Sequence, residues 1–152
     1  MILITLSFAG TFERAVEWVI YEEGDSTYCH DGGFESKFGI SKQWHPQEDI
    51  KHLTRARAIE IYKCDYWEVI GAYMRDSVFA WIYFDCSVLL GPPTAVIMAR
   101  DCYDPGILMW KYRCALQKEI VDHPKKAVFF GTWTKRLSEL NVASGLNEGK
   151  TK

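Results

Sequence analysis

The sequence predicts an α+β domain, mostly α, with one small β-hairpin or loop region after the first helix. Three observations carry this. Apolar residues recur at helical spacing through most of the chain; the stretch from Asp25 to Ile40 breaks that spacing with glycines, short polar side chains and aromatics; and no internal repeat or long linker divides the 152 residues. A chain of this length buries roughly two thirds of the surface its unfolded form exposes, enough for one core. The expected organisation is a single domain over residues 1–142, with residues 107–140 as a C-terminal helical segment and 143–152 as a flexible tail.

The first helix is predicted over Phe12 to Glu23, where Phe12, Ala15, Val16, Val19 and Ile20 share one face and Gly24 supplies the left-handed residue that ends it. Thr54 is a suitable N-cap for a second helix through "RARAIEIYKCDYWEVI", with Ile59, Tyr62 and Tyr66 on one stripe. Asp76 or Ser77 caps the longest apolar run, Val78 to Leu90, which is too short for the roughly 20 residues of a membrane span and contains Asp85. It reads as a buried central helix. Pro92-Pro93 forces a break before the helix "TAVIMARDCY", "DPG" at Asp104 to Gly106 reads as a turn, and two further helices follow over Ile107 to Val121 and Lys125 to Leu140, divided by Pro124.

Composition narrows the function. With 48% hydrophobic and 25% charged residues and a formal net charge of -2, the chain is that of a soluble globular protein with no basic footprint for nucleic acid. The odd count of five cysteines, with no C-x-x-C pair, suits synthesis in a reducing cytoplasm. The start "MILITLSFAG" lacks a basic n-region and reads as a non-cleaved start. Cys29, His30 and Asp31 are adjacent, show no zinc-site spacing and have no orienting third group for a nucleophilic site, so neither a metal nor any other cofactor is expected.

The chemistry concentrates in "VIYEEGDSTYCHDGGFESKFGIS", Val19 to Ser41. Advancing each residue by about 100° from Phe12 puts Glu23 roughly 20° from the centre of the apolar face and Glu22 about 80° away. Glu23 therefore points toward the core or a cleft in it. Partial burial, the C-terminal end of the helix dipole and the neighbouring Glu22 all act against its anion, so Glu23 is expected to keep a proton near neutral pH, as a general acid must. Glycoside hydrolysis asks for a second carboxylate. Asp25 and Asp31 are the candidates in the following loop, and Asp31 is preferred because Gly32 and Gly33 let the backbone turn and approach a ligand. Ser36 is placed to hydrogen-bond a water or a sugar hydroxyl.

In their order these residues resemble the phage-type muramidases of glycoside hydrolase family 108. Members of that family usually show Glu-Gly-Gly, then Asp-Pro-Gly-Gly-x-Thr-x-Tyr-Gly-Ile; here the positions read Glu23-Gly24-Asp25, Asp31-Gly32-Gly33 and Ser36-Lys37-Phe38-Gly39-Ile40. "LTRARAIEIYKCDYW" and "FDCSVLLGPPTAVIMAR" extend the similarity, and "HPKKAVFFGTWTKRLSEL" resembles a shortened form of the helical, peptidoglycan-binding-like segment that follows this region in the family. The departures are Asp25 for the second glycine, no proline after Asp31, one residue added between Gly33 and Ser36, and Ser36 for threonine.

The resemblance implies a lysozyme-like fold and a muramidase, or endolysin, that cuts the β-1,4 bond between N-acetylmuramic acid and N-acetylglucosamine in peptidoglycan. Glu23 would be the acid, Asp31 its partner carboxylate and Ser36 the water-positioning residue. It further implies a monomer with no stable membrane insertion, made in a host cytoplasm and reaching the wall through a holin or dedicated route. Two alternatives stand beside it: a lytic transglycosylase using Glu23 alone, and a non-catalytic wall-binding module. Tyr28, Phe34 and Trp44 lie nearest the expected cleft in sequence and are the candidates for contact with sugar rings, whereas Trp18, Trp67, Trp81 and Trp133 are expected to pack. Asp85 should pair with backbone groups or an arginine. Lys125, Lys126, Lys135 and Arg136 are expected to form a solvated face.

Overall fold

The computed structural model describes residues 2–24, 27–31, 34–71, 74 and 76–146, with side chains for all of these except 2–9, 30, 31 and 34. Helix α1 (Ile2–Glu22) is longer than the periodicity predicts. No proline interrupts the apolar start, and the single glycine inside the helix, Gly10, costs only about 1 kcal/mol against alanine. Its C-terminus is as expected: Glu23 N–H still donates to Val19 O at 2.9 Å, and Gly24 takes φ 92°.

A three-stranded antiparallel sheet follows, in the order β1 (Cys29–Asp31), β2 (Phe34–Lys37), β3 (Ile40–Ser41). Phe38 and Gly39 close the β2–β3 hairpin with φ of 54° and 77°, the pair of positive values that a two-residue turn needs to match the twist of its strands. Asp25, Gly32 and Gly33 lie outside the described residues.

Thr54 caps α2 (Arg55–Ile61), its side chain accepting from Arg57 N–H at 3.2 Å. The predicted second helix then changes pitch. Tyr62–Trp67 is a π-helix before the last turn, α3 (Glu68–Ile70), and such wide turns are rare and gather at functional sites. Asp76 caps α4 (Ser77–Leu90), accepting from Phe79 N–H at 2.8 Å. Every residue from Phe79 to Ser87 is buried, as an all-round apolar helix requires.

Gly91, at φ 85°, turns the chain into α5 (Pro92–Ala99), and α4 packs against α1, α5 and α6. "DPG" is not a free turn: Asp104 caps α6 (Pro105–Asp122), and Pro105 and Gly106 begin it, since proline's missing N–H costs nothing in a first turn. A 3₁₀ stretch, Pro124–Phe129, leads into α7 (Phe130–Ala143), which packs on α6. No described helix is long and apolar enough to cross a membrane.

Candidate active site

Glu23 is the first residue beyond α1, and two structural decisions set its place. The Phe38–Gly39 turn comes against it so closely that a β-carbon on Gly39 would lie 2.8 Å from both Glu23 Cβ and Cγ, and closer still to Tyr62 Oη. Only glycine fits there. The Tyr62 hydroxyl, from the π-helix, donates to Phe38 O at 3.0 Å and so holds the turn in its left-handed conformation. Burial first, and then the Glu23 charge, raise the Tyr62 phenol well above its usual range, so it remains a neutral donor.

The second decision comes from far along the chain. Arg136, on α7, donates through Nη1 to Glu23 Oε1 at 2.5 Å, and through Nε (3.1 Å) and Nη2 (2.7 Å) to Asp85 Oδ1. The Tyr112 hydroxyl donates to the other Asp85 oxygen at 2.9 Å. The Asp85 side chain is 0% exposed and that of Arg136 6%, against 25% for Glu23, so the network is dry at one end and open at the other. Burial works against the Arg136 charge, yet Asp85 and then Glu23 outweigh it and hold the guanidinium firmly protonated.

Asp85 thus has the arginine expected of it. Arg136 corrects the expected solvated face, because it is one of the few buried charges among the described residues. Its neighbours do stay out: Lys135 pairs with Glu139 at 3.7 Å across one exposed turn of α7. The apolar surround expected for Glu23 is likewise incomplete, since a guanidinium forms one wall. Burial is what raises the carboxyl of Glu22, aided by Glu139 and Asp85 and opposed by Arg136 and Lys135.

The remaining predicted residues divide. Asp31 ends β1 opposite Phe34, at the open end of the hairpin, but its side chain and that of Phe34 lie outside the described set. Ser36 is half-buried in β2, opposite Cys29 and Ser41. Tyr28 is spent on the sheet itself, its hydroxyl donating to Glu35 Oε1 at 2.7 Å. That bond, more than anything else near it, raises the Tyr28 phenol. Trp44 is 73% exposed on the loop after β3.

Trp44 lines a groove of about 560 Å³ together with His45, Asp65, Tyr66 and the Gly91–Pro93 corner. Tyr66 joins the groove to the glutamate: its ring lies 5.6 Å from that of Tyr62, and the charge of Glu23, after burial and Asp65, raises its phenol. A smaller cavity of about 210 Å³ between α6 and α7 carries no acidic lining residue and offers no general acid. No cluster of His, Cys, Asp or Glu suited to a metal occurs among the described residues.

Sequence reasoning missed Arg136, Tyr62 and Asp65 as site residues. Arg136 was the most accessible of the three. It stands three residues after Trp133 and four before Leu140, on the apolar stripe of α7, a position where a solvated arginine does not belong.

A carboxylate at a helix end, clamped by an arginine and a quarter exposed, is suited to delivering a proton to a bound substrate. No curated protein sequence matches the chain. Among solved structures it is similar to that of Brucella abortus SagA, with a TM-score of 0.69 at 23% identity over 89% of this chain and 94% of that one, a likeness of fold. The family model for glycosyl hydrolase 108 matches residues 16–91, half of the chain, spanning Glu23, the sheet and the whole of α4. The chain therefore belongs to the glycosyl hydrolase 108 family and is a glycoside hydrolase on a lysozyme-like fold.

Proposed function

We propose that the protein is a peptidoglycan muramidase that cleaves the β-1,4 bond between N-acetylmuramic acid and N-acetylglucosamine, with Glu23 as the general acid. The observation that carries this is the setting of Glu23: at the end of α1, a quarter exposed, held through Oε1 by Arg136 and walled by Gly39. With Oε1 held by Arg136, Oε2 is the oxygen left free to deliver a proton. The proton passes to the glycosidic oxygen as the bond from that oxygen to C1 breaks.

Asp31 supplies the second carboxylate, facing the positive charge that develops at C1 or positioning the incoming water, and Ser36 orients that water. The protein acts as a monomeric endolysin, made in a host cytoplasm and released to the wall by a holin or a dedicated route.

Glu23→Gln and Glu22→Gln, compared by the fall in turbidity of a cell-wall suspension, test the assignment. General acid catalysis contributes typically 10²–10⁴-fold, so Glu23→Gln should lose at least about 100-fold with an unchanged circular dichroism spectrum, and Glu22→Gln little. Equal losses would sink it. Mass spectrometry of the digest should show muramic acid at reducing ends; anhydro ends would replace hydrolysis with transglycosylation.

A further inference from the structure

The connection from α6 to α7 has features that nothing at Glu23 uses. Three apolar residues stand in a row there: Val128 is 78% exposed, and Phe129 and Phe130 are half exposed. Val121, near the close of α6, is 76% exposed. Single exposed apolar side chains are ordinary, but four about one connection form a cluster, and such a cluster marks a contact surface. The Phe129 ring stacks on that of Trp133 at 5.9 Å and 24°, which holds it in place. Phe130 in turn lines the cavity between α6 and α7 with Leu116 and Trp133, so apolar surface runs from the connection to the core. The charges around the cluster are of one sign once their internal pairs are set aside. Asp122 is taken up by Lys118, and Glu119 by Lys126 at 2.6 Å. Lys125 and Arg113 remain, both exposed and with no ion-pair partner among the described residues.

We propose that this connection docks on the surface of an anionic phospholipid bilayer. Val128, Phe129 and Phe130 enter the boundary between headgroups and acyl chains, and Lys125 and Arg113 meet lipid phosphates. The other occupants fit less well. A second copy related by a two-fold axis would bring Lys125 and Arg113 against their own like charges. A hydrated glycan offers no apolar interior in which a valine or phenylalanine leaves water. The attachment is peripheral, for no described helix is long and apolar enough to cross a membrane, and two cations with three apolar side chains make it reversible and salt-sensitive. Helix α7 begins at the docked residues and carries Arg136, the clamp of Glu23, so contact with lipid sets the height of the acid above the membrane.

Co-sedimentation reads the docking directly, with the full chain and two kinds of vesicle: equal parts phosphatidylethanolamine and phosphatidylglycerol, and phosphatidylcholine alone. At low salt the anionic vesicles should bind at least about tenfold more tightly, and ~0.5 M sodium chloride should remove most of that advantage. Lys125→Glu turns an attraction into a repulsion, and Val128→Asp puts a charge at the most exposed apolar position; each should weaken binding to the anionic vesicles about tenfold or more. Both positions are exposed, so circular dichroism of the two variants, and their pelleting with isolated cell walls, should match the wild type. Equal binding to the two kinds of vesicle, or binding indifferent to both variants, would overturn the proposal. So would a loss of wall pelleting in both variants, which gives the surface to the glycan, or a dimer in analytical ultracentrifugation that Val128→Asp dissolves, which gives it to a second copy.

Discussion

Replacing Arg136 separates what the buried network does for stability from what it does for Glu23. Arg136→Ala leaves Asp85, 0% exposed, with a single neutral donor in Tyr112. Removing one partner of a buried ion pair costs about 3–5 kcal/mol, a large part of the 5–15 kcal/mol that holds a domain together. At roughly 2–4 °C per kcal/mol for a chain of this size, the melting temperature should fall by about 10 °C. The variant should also lose lytic activity, but an unstable protein loses activity for uninformative reasons.

The informative protein is the double variant Arg136→Met with Asp85→Asn. It removes both charges, keeps an acceptor for Tyr112 and fills the volume of the arginine stem, so most of the lost stability should return. Glu23 Oε1 nevertheless stays without its clamp. A displacement on the order of 1 Å at a reacting group costs about 100-fold, so the double variant should melt near the wild type and yet lyse walls at least about tenfold more slowly. Thermal melts beside turbidity assays make the comparison. Full stability with full activity in the double variant would show that Arg136 braces the core and does not position Glu23; a loss under about 1 kcal/mol in Arg136→Ala would refute the accounting for the buried pair.

Three further outcomes follow from neighbouring residues. Gly39→Ala forces a side chain into a backbone at φ 77° and against Glu23, and should cost about 3 kcal/mol in urea unfolding together with most of the activity; a loss within about 0.5 kcal/mol would mean the turn is not tightly seated. Glu22, whose carboxyl burial raises above its usual range, binds its proton more tightly folded than unfolded, so its contribution to stability is present below the ordinary carboxyl range and lost as pH rises through the raised value. Glu22→Gln should therefore melt higher than the wild type at pH ~7 and match it at pH ~4, and parallel melting curves at both would contradict the assignment. Thr54→Ala removes the cap of α2 and should lower stability by about 1 kcal/mol with activity kept, since α2 presents no group to the site; a change of both would tie the cap to catalysis.

The helices and their ends were legible because they follow local rules. Thr54 and Asp76 cap where short polar side chains precede apolar runs, and the break at Gly91–Pro93 is written in proline and glycine. Gly24 marks the end of α1, and the same periodicity separated Glu23 from Glu22. What sequence could not show was pitch and distance. Nothing in "YKCDYW" distinguishes a π-helix from an α-helix, yet the wider turn brings Asp65 and Tyr66 to the groove. Asp85 announced that it needed a cation but not which one, because its partner lies 51 residues away on α7, in a stretch where three lysines make a solvated face the simpler reading.

That distance bears on where the catalytic unit ends. The family match stops at residue 91, and by that boundary α6 and α7 would be an appendage. The contacts argue otherwise. Tyr112 on α6 and Arg136 on α7 supply the side-chain donors to Asp85, and Arg136 reaches across to Glu23, which it follows by 113 residues. A protein ending after α5 would keep the glutamate, the hairpin and the groove, but Asp85 would be left as an unpaired carboxylate in the middle of the most buried helix. Such a group either draws in water or forces α4 to shift, and α4 is packed directly on α1, whose last turn aims Glu23. Glu23 is thus placed by the sheet on one side and by the C-terminal helices on the other, and the matched half of the chain does not contain everything that positions it.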